Sequence, residues 1–441
     1  ILPKIKGRKV FSLFFFTVFM RREDYLNRFL CAAAISISAA LNLFAFESPY
    51  FNGYTGFLSG IQNEYDSESF DPAFTGETFF AGQIDFGGKL FLRGEFYAKA
   101  NDIFKYDSLN GDTPNSYLRV EELSATYTVN SAHASHYISL YYGNFEPVGS
   151  DLFLQRQFGI KPIRSSFTES FRGLAGASYY PLYAQGIGYI FHPEGNFAAG
   201  INLYKNKAAE DENQDDVLNL DLRLASLAGI STIDFSAGLA LPSEVNSEDN
   251  DALVYIKELQ LHGGLNFLIG NRNTTSLLIQ GGVNKYILRK DNSDSDSDSD
   301  KIEMKDIWAF VEPRAQGKYI SIDTSGFIFP AEAAEDMIFL RNIIRRYPGT
   351  ENVLGMNLNI HTDRLYAGAT RLSVGAHTTF AVSRIDPDGD DKQENSLCIS
   401  PYAGIEILGG TLNSSVSVNL LDLKSDPEKS YSATIGFKTK F

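Results

Sequence analysis

Residues 430–441, at the end of the chain, read SYSATIGFKTKF. One set of alternate positions is apolar or aromatic and comprises Tyr431, Ala433, Ile435, Phe437 and the terminal Phe441. The other set is polar or small and comprises Ser432, Thr434, Gly436, Lys438 and Lys440. A period of two is that of a β-strand whose two faces meet different surroundings. The stretch therefore predicts a strand with one apolar face that ends on an aromatic residue.

The same alternation recurs along most of the chain. Between residues 218 and 224, leucines at even positions alternate with Asn219, Asp221 and Arg223. Similar segments occupy 90–99, 232–241, 259–267, 277–284 and 371–382. The chain contains 34 Phe, 23 Tyr and 37 Gly but only 4 Met and 1 Trp, a composition that favours strands over long helices. The sequence thus predicts an all-β protein.

Short turns and long connections alternate along the chain. Short turns are expected at 87–88, 130–135, 193–196, 227–230, 269–273, 316–317, 362–364 and 409–411. Long connections are expected at 60–76, 100–115, 147–183, 207–216, 242–252, 289–305, 330–352, 383–394 and 422–429. Eight short and nine long connections would join eighteen strands, the first near 50–59, and sixteen strands is the alternative count. Strict alternation of this kind is typical of an up-and-down meander that crosses a membrane.

Acidic residues are concentrated in the long connections. The net charge of −15 argues against nucleic-acid binding, which requires a basic surface. The tract DNSDSDSDSD at 291–300 cannot form a packed core and is expected to be solvated.

One long connection is expected to contain a helix. Residues 332–346, EAAEDMIFLRNIIRR, have acids at the start and arginines at the end, as the helix dipole favours.

These patterns predict a transmembrane, antiparallel β-barrel over residues 46–441. Backbone groups in hydrocarbon must all be hydrogen-bonded, so a membrane-spanning sheet has to close on itself. The apolar face of each strand would meet lipid and the charged face would meet the lumen. Residues expected on the lumen face are Arg93, Glu95, Lys99, Glu121, Asp221, Arg223 and Asp234. Glu122 breaks the alternation begun by Leu118 and Val120, which indicates a β-bulge.

The N-terminal region has the pattern of a targeting segment. From Met20, a charged MRREDYLNR precedes the apolar FLCAAAISISAALNLFA. This order predicts a signal peptide over 20–45, with Sec-type export and cleavage near Ala45, and a membrane anchor is the alternative. Residues 1–19 precede that methionine and are expected to be an over-extended start.

The C-terminal strand resembles the last strand of Gram-negative-type outer-membrane β-barrel proteins. The residues that carry the resemblance are Tyr431, Ile435, Gly436, Phe437 and Phe441. It implies an outer-membrane location, contact with outer-membrane lipid, short periplasmic turns, long extracellular loops and recognition by the barrel-insertion machinery.

Two further segments resemble parts of such barrels. YYGNFEPVG (141–149) is similar to a strand-to-loop segment of anion-type porins, and DPAF (71–74) is similar to a motif of fatty-acid channels.

A barrel of sixteen to eighteen strands encloses an aqueous channel. The main functional prediction is therefore passive diffusion of small hydrophilic solutes. The connection 147–183 is rich in aromatic residues and is expected to fold into the lumen as a constriction. Its cations are Arg156, Lys161, Arg164 and Arg172. We expect them to face inward acids such as Glu95, Glu121 and Asp234. These arginines would either filter ions or only hold the connection against the wall.

Two other functions remain open at this point. The barrel could display acidic loops as an adhesin or binding protein, or it could transport hydrophobic substrates of the fatty-acid type. Catalysis is not expected, because none of the six histidines lies in a recognised catalytic motif. No cofactor or metal site is expected, since DPDGDD (386–391) lacks the glycine and glutamate positions of an EF-hand. The sequence leaves the solute and a homo-oligomeric state undetermined.

Overall fold

A computed structural model describes the chain from Tyr50 to Phe441 with gaps, and all structural statements below concern the described residues. The described ranges are 50–63, 72–104, 116–150, 152–160, 165–169, 183–206, 216–245, 254–256, 258–271, 274–290, 302, 304–347, 349–368, 370–385, 392–427 and 430–441. Outside them lie the predicted over-extended start (1–19), the predicted signal peptide (20–45), the acidic tracts 291–300 and 386–391, and Lys161, Arg164 and Arg172.

Within these ranges the chain forms eighteen antiparallel strands. The first nine are β1 (Tyr50–Asn63), β2 (Pro72–Phe86), β3 (Leu90–Ala100), β4 (Ser116–Asn130), β5 (Ala134–Asn144), β6 (Tyr183–Pro193), β7 (Phe197–Asn206), β8 (Asp216–Ala228) and β9 (Ser231–Val245). The tenth, β10, has two segments that both pair with β9, Val254–Ile256 and Glu258–Gly270. The remaining strands are β11 (Thr275–Lys290), β12 (Ile307–Gln316), β13 (Ser321–Pro330), β14 (Thr350–Ala367), β15 (Thr370–Ile385), β16 (Lys392–Ile407), β17 (Gly410–Asn419) and β18 (Tyr431–Lys440).

The sheet closes into a barrel through β1, which pairs with both β2 and β18. Every other strand pairs with its neighbours along the chain. Beyond the end of β18, the N–H of Phe441 donates to the carbonyl of Gly53 at 3.1 Å, and the N–H of Gly53 donates back at 3.0 Å. The predicted closed barrel of about eighteen strands is therefore confirmed.

The two faces of each strand have different surroundings, as β8 shows. Leu218, Leu220 and Leu222 point outward and are 45–46 % exposed. Asn219, Asp221 and Arg223 point into the barrel and are 1–9 % exposed. Apolar side chains exposed on the outer face of successive strands form a surface that water would not favour and that hydrocarbon would.

Several local predictions can be compared with the strands and turns. The bulge on β4 is confirmed, because Glu95 pairs with Glu122 while Phe96 pairs with Val120, which leaves Glu121 as the extra residue. The turn predicted at 362–364 is wrong. There a bulge between Thr362 and Leu365 lets β14 continue to Ala367, and the turn follows at Gly368, whose φ of 65° suits glycine.

The helix predicted over 332–346 is present as two short helices. The three α-helices among the described residues are α1 (Leu152–Phe158), α2 (Ala331–Glu335) and α3 (Arg341–Arg346). A turn at Met337–Leu340 separates α2 from α3 and places Met337 and Leu340 in a buried cluster. In the described part of the chain, no helix is sufficiently long and apolar to cross a bilayer.

The outward face of β8 generates a stability prediction. Replacement of Leu220 by arginine should cost about 2–4 kcal/mol of folding free energy in a bilayer, because the charge would enter hydrocarbon. Denaturant titration of the protein in phospholipid vesicles measures this cost.

The matched control is Leu408→Arg. Leu408 is 91 % exposed in the turn between β16 and β17, so the same exchange should have little effect there. Equal costs at the two positions would contradict a lipid-facing role for β8.

Candidate functional site

Two connections fold into the barrel lumen. The first inserted segment consists of the described residues of 145–169, which include α1. The second inserted segment is residues 331–347, which include α2 and α3. Leu152, Phe153 and Leu154 of the first and Ala334, Leu340 and Ile343 of the second are at most 2 % exposed. The N–H of Ile338 donates to the carbonyl of Glu169 at 3.3 Å, so the two inserted segments touch.

The first inserted segment leaves the wall at the end of β5. Gly143 there has a φ of 97°, and a side-chain carbon at this residue would lie 2.2 Å from the carbonyl oxygen of Glu121. Only glycine therefore permits β5 to lie against the bulge of β4. Phe145 stacks on Tyr141 with ring centroids 4.3 Å apart, which directs the chain inward. The bulge and the inserted segment are thus coupled through one close backbone contact.

Arg156 of α1 forms the central ion pairs of the first inserted segment. Its guanidinium contacts Glu122 at 2.8 Å and Glu146 at 3.0 Å. Arg93 contacts the same Glu122 at 3.3 Å and Glu95 at 3.0 Å. Two arginines and three carboxylates thereby form one network between the wall and α1. Because Glu122 is 1 % exposed, its charge requires both arginines as partners.

Glu146 is the carboxylate of this network that belongs to the inserted segment itself. Burial raises the pKa of Glu146, and the neighbouring guanidinium of Arg156 opposes that rise. The carbonyl of Glu146 accepts a hydrogen bond from Arg223 of β8 at 3.0 Å. Arg223 also binds both carboxylate oxygens of Asp234 at 2.6 Å, so a second wall ion pair anchors the same residue from another side.

The end of the first inserted segment lies against β12–β14. Ser165 donates to Glu312 at 2.6 Å, and Asn359 donates to Ser166 at 2.9 Å. Phe167 is fully buried, with its ring 5.0 Å from that of Phe327. The segment therefore spans the lumen from β4 to β14.

The second inserted segment is held by cations that reach the wall. Arg341 is 6 % exposed and forms a two-point ion pair with Glu77 of β2. Lys99 of β3 contacts Glu335 at 3.3 Å, and Arg346 contacts Asp422 at 2.6 Å. These contacts join the segment to β2, to β3 and to the connection between β17 and β18.

Apolar side chains of both inserted segments pack together inside the barrel. The cluster includes Phe153, Leu154, Phe167, Met337, Leu340 and Ile343, together with wall residues such as Trp308, Phe310 and Phe329. A barrel of this width cannot fill its lumen with wall side chains alone. The inserted segments thus supply a core and narrow the lumen.

Comparisons with known proteins concern the fold. No protein-family model matches the chain. No curated protein matches its sequence. Among solved structures, OccAB3 of Acinetobacter baumannii has a TM-score of 0.50 at 9 % identity, covering 89 % of this chain and 99 % of that one. The chain therefore shares the closed β-barrel fold of OccAB3.

Two other solved structures are similar at lower scores. A triple mutant of the Rhodopseudomonas blastica porin has a TM-score of 0.42 at 10 % identity and covers 89 % of this chain and 100 % of that one. Wzi of Escherichia coli, an outer-membrane protein involved in group 1 capsule assembly and a carbohydrate-binding β-barrel, has a TM-score of 0.46 at 9 % identity. That match covers 95 % of this chain and 90 % of Wzi. At such scores and identities, these two likenesses support no conclusion about this chain.

In this barrel, the residues singled out from the sequence separate into groups. Arg93, Glu95 and Arg156 belong to one network, and Arg223 pairs with Asp234. Asp221 contacts His262 at 2.8 Å. Lys99 pairs with Glu335, and Glu121 pairs with Arg119. Arg156 meets Glu122 and Glu146 rather than the expected Glu95, Glu121 or Asp234. Pore lining and ion selection by these residues stay predictions.

Other residues of the lumen were missed from the sequence. Glu122 gave a signal, since its break in the alternation indicated the bulge that turns both Glu121 and Glu122 inward. Glu77 and Arg341 gave none, because 264 positions separate them and an arginine in a helix is usually solvated. Among the described residues, no three His, Cys, Asp or Glu side chains could hold a metal ion.

The ion pair of Arg341 generates a second prediction. Arg341→Ala should lower the free energy of unfolding by about 3–5 kcal/mol, because Glu77 would remain buried without its partner. Denaturant titration gives the change, and hydrogen exchange should rise over residues 331–347.

Arg371→Ala is the control. Its partner Asp363 lies on the surface and both side chains are more than 40 % exposed, so the loss should stay below about 1 kcal/mol. A loss for Arg341→Ala as small as this would refute the anchoring role of Arg341.

Proposed function

We propose that the chain forms a narrow outer-membrane channel through which small hydrophilic solutes diffuse. The observation that carries this proposal is the Arg156 network, a set of paired charges between the wall and α1 in a lumen that the two inserted segments already restrict. The polar inner face of the wall supports it, because a diffusing hydrophilic solute needs partners that replace water.

Charge placement gives the channel a way to discriminate between ions. Arg156 is partly accessible, with 22 % of its side chain exposed, whereas its partner Glu122 is 1 % exposed. A passing ion would therefore meet the guanidinium before the carboxylate. In a narrow and weakly hydrated passage, such an exposed charge acts strongly on an ion.

A second candidate function has its own supporting observation. The apolar cluster formed by both inserted segments resembles a protein core more than a water-filled passage. A barrel sealed in this way would serve to display its long acidic connections to external partners. Planar-bilayer recording separates the two candidates, since a sealed barrel conducts no ions.

The channel proposal predicts a change in ion selectivity for Arg156→Ala. Removal of the accessible cation leaves Glu122 and Glu146 to act on passing ions, so the ratio of cation to anion permeability should rise about twofold or more. Reversal potentials under a salt gradient measure this ratio.

Two variants keep this experiment interpretable. Arg156→Lys retains the charge and should retain the wild-type reversal potential, whereas Arg371→Ala removes an exposed charge outside the constriction and should not change it. Circular dichroism establishes that each variant is a folded barrel. If a folded Arg156→Ala barrel keeps the wild-type reversal potential, Arg156 only holds the inserted segment in place.

A further inference from the structure

A cavity of about 610 Å³ lies in the lumen at the end of the barrel that carries the short turns. Its wall is formed near the ends of β1–β6 and β18, and α1 closes it from within. Pockets that bind small molecules usually enclose about 300–1,000 Å³. The cavity is therefore large enough for a solute of several non-hydrogen atoms rather than a few water molecules.

Three aromatic side chains from different strands line this cavity. They are Tyr54 of β1, Phe91 of β3 and Tyr137 of β5. Aromatic rings present flat apolar faces, and the tyrosines add hydroxyl groups at their edges. The wall thus offers both a flat surface for C–H groups and hydroxyl partners for polar groups.

Side-chain amides supply part of the polar lining. Asn52, Gln83, Gln155 and Gln157 all face the cavity, and within the described chain their side chains form no hydrogen bond to another residue. Gln157 is only 8 % exposed, and its Oε1 is buried without a partner. Buried polar groups are normally hydrogen-bonded. The Gln157 amide therefore has hydrogen-bonding capacity for a water molecule or for a polar solute beside it.

The charges around the cavity are largely neutralised by one another. Arg93 and Arg156 share Glu122, and Arg156 also contacts the lining residue Glu146 at 3.0 Å. Lys440 lies with its ammonium 5.0 Å from the centre of the Tyr54 ring, at the exposed end of β18. Each charged side chain in the buried part of the lining therefore already has an opposite partner, and a neutral solute could bind without breaking these pairs.

We propose that this cavity is a binding site for a neutral polyhydroxylated solute of the size of a mono- or disaccharide. Amides donate and accept hydrogen bonds, as hydroxyl groups require. The aromatic faces would contact the C–H faces of a sugar ring. The inference deepens the proposed channel function, on which it rests, by naming the class of solute that pauses in the lumen.

Isothermal titration calorimetry on the detergent-solubilised full barrel tests the site, with maltose as the probe. Maltose should bind saturably. Succinate and glycine at equal concentrations should bind about tenfold more weakly or not at all, because the charged side chains of the lining already have opposite partners. Gln157→Leu and Tyr137→Ala should each weaken maltose binding about three- to tenfold by removing a hydrogen bond or a stacking face.

Gln393→Leu is the matched control, since Gln393 is exposed on β16 outside the cavity and should leave maltose binding unchanged. Absence of saturable maltose binding, equal binding of succinate, or binding that ignores Gln157→Leu and Tyr137→Ala would each overturn the site. Conductance without maltose binding rejects the sugar site and leaves the channel intact. Maltose binding without conductance supports the site and rejects the channel.

Discussion

Every backbone N–H and C=O group that crosses hydrocarbon needs a hydrogen-bond partner within the protein, and the pairing of β1 with β18 supplies the last of them. An open sheet would expose two unpaired edges to lipid. Closure also fixes the direction of every side chain, because alternate residues must point to opposite sides of a single wall. The exposed Leu220 and the buried Asp221 on β8 follow from this constraint. So does the position of Phe441, whose backbone completes the ladder with Gly53.

The same closure creates a requirement for packing and charge partners inside the barrel, and the inserted segments satisfy it. A barrel of eighteen strands is too wide for its wall residues to fill, so connections that fold inward must supply packing and must bring partners for inward charges. Arg156 and Arg341 come from inserted segments and meet Glu122 and Glu77 of the wall. Each buried carboxylate would be costly without its arginine, and each arginine would be costly without its carboxylate. The lumen is consequently a second core that is polar at its boundary and apolar where Phe153, Phe167 and Leu340 meet.

Much of the fold could be predicted from the sequence because its determinants are local. Alternation at 218–224 gives the faces of β8, and the extra residue near Glu122 gives the bulge. The turn near residue 363 was misplaced because polar residues in a bulge resemble those of a turn. The lumen was less predictable, since its contacts join residues distant in sequence. Arg156 could be assigned to the lumen, but its partner Glu146 precedes α1 on the same connection and depends on how that connection folds. The amide of Gln157 offered no pattern to detect.

Cysteine scanning of β8 tests the central claim, that one face of each strand meets lipid and the other a lumen. Single cysteines would replace residues 218–223 in turn, after substitution of Cys31 and the buried Cys398, and a fluorophore at each would be exposed to quenchers attached to lipid acyl chains. Strong quenching at 218, 220 and 222, and little at 219, 221 and 223, is the result that the barrel requires. Quenching without a period of two would contradict a closed barrel in a bilayer.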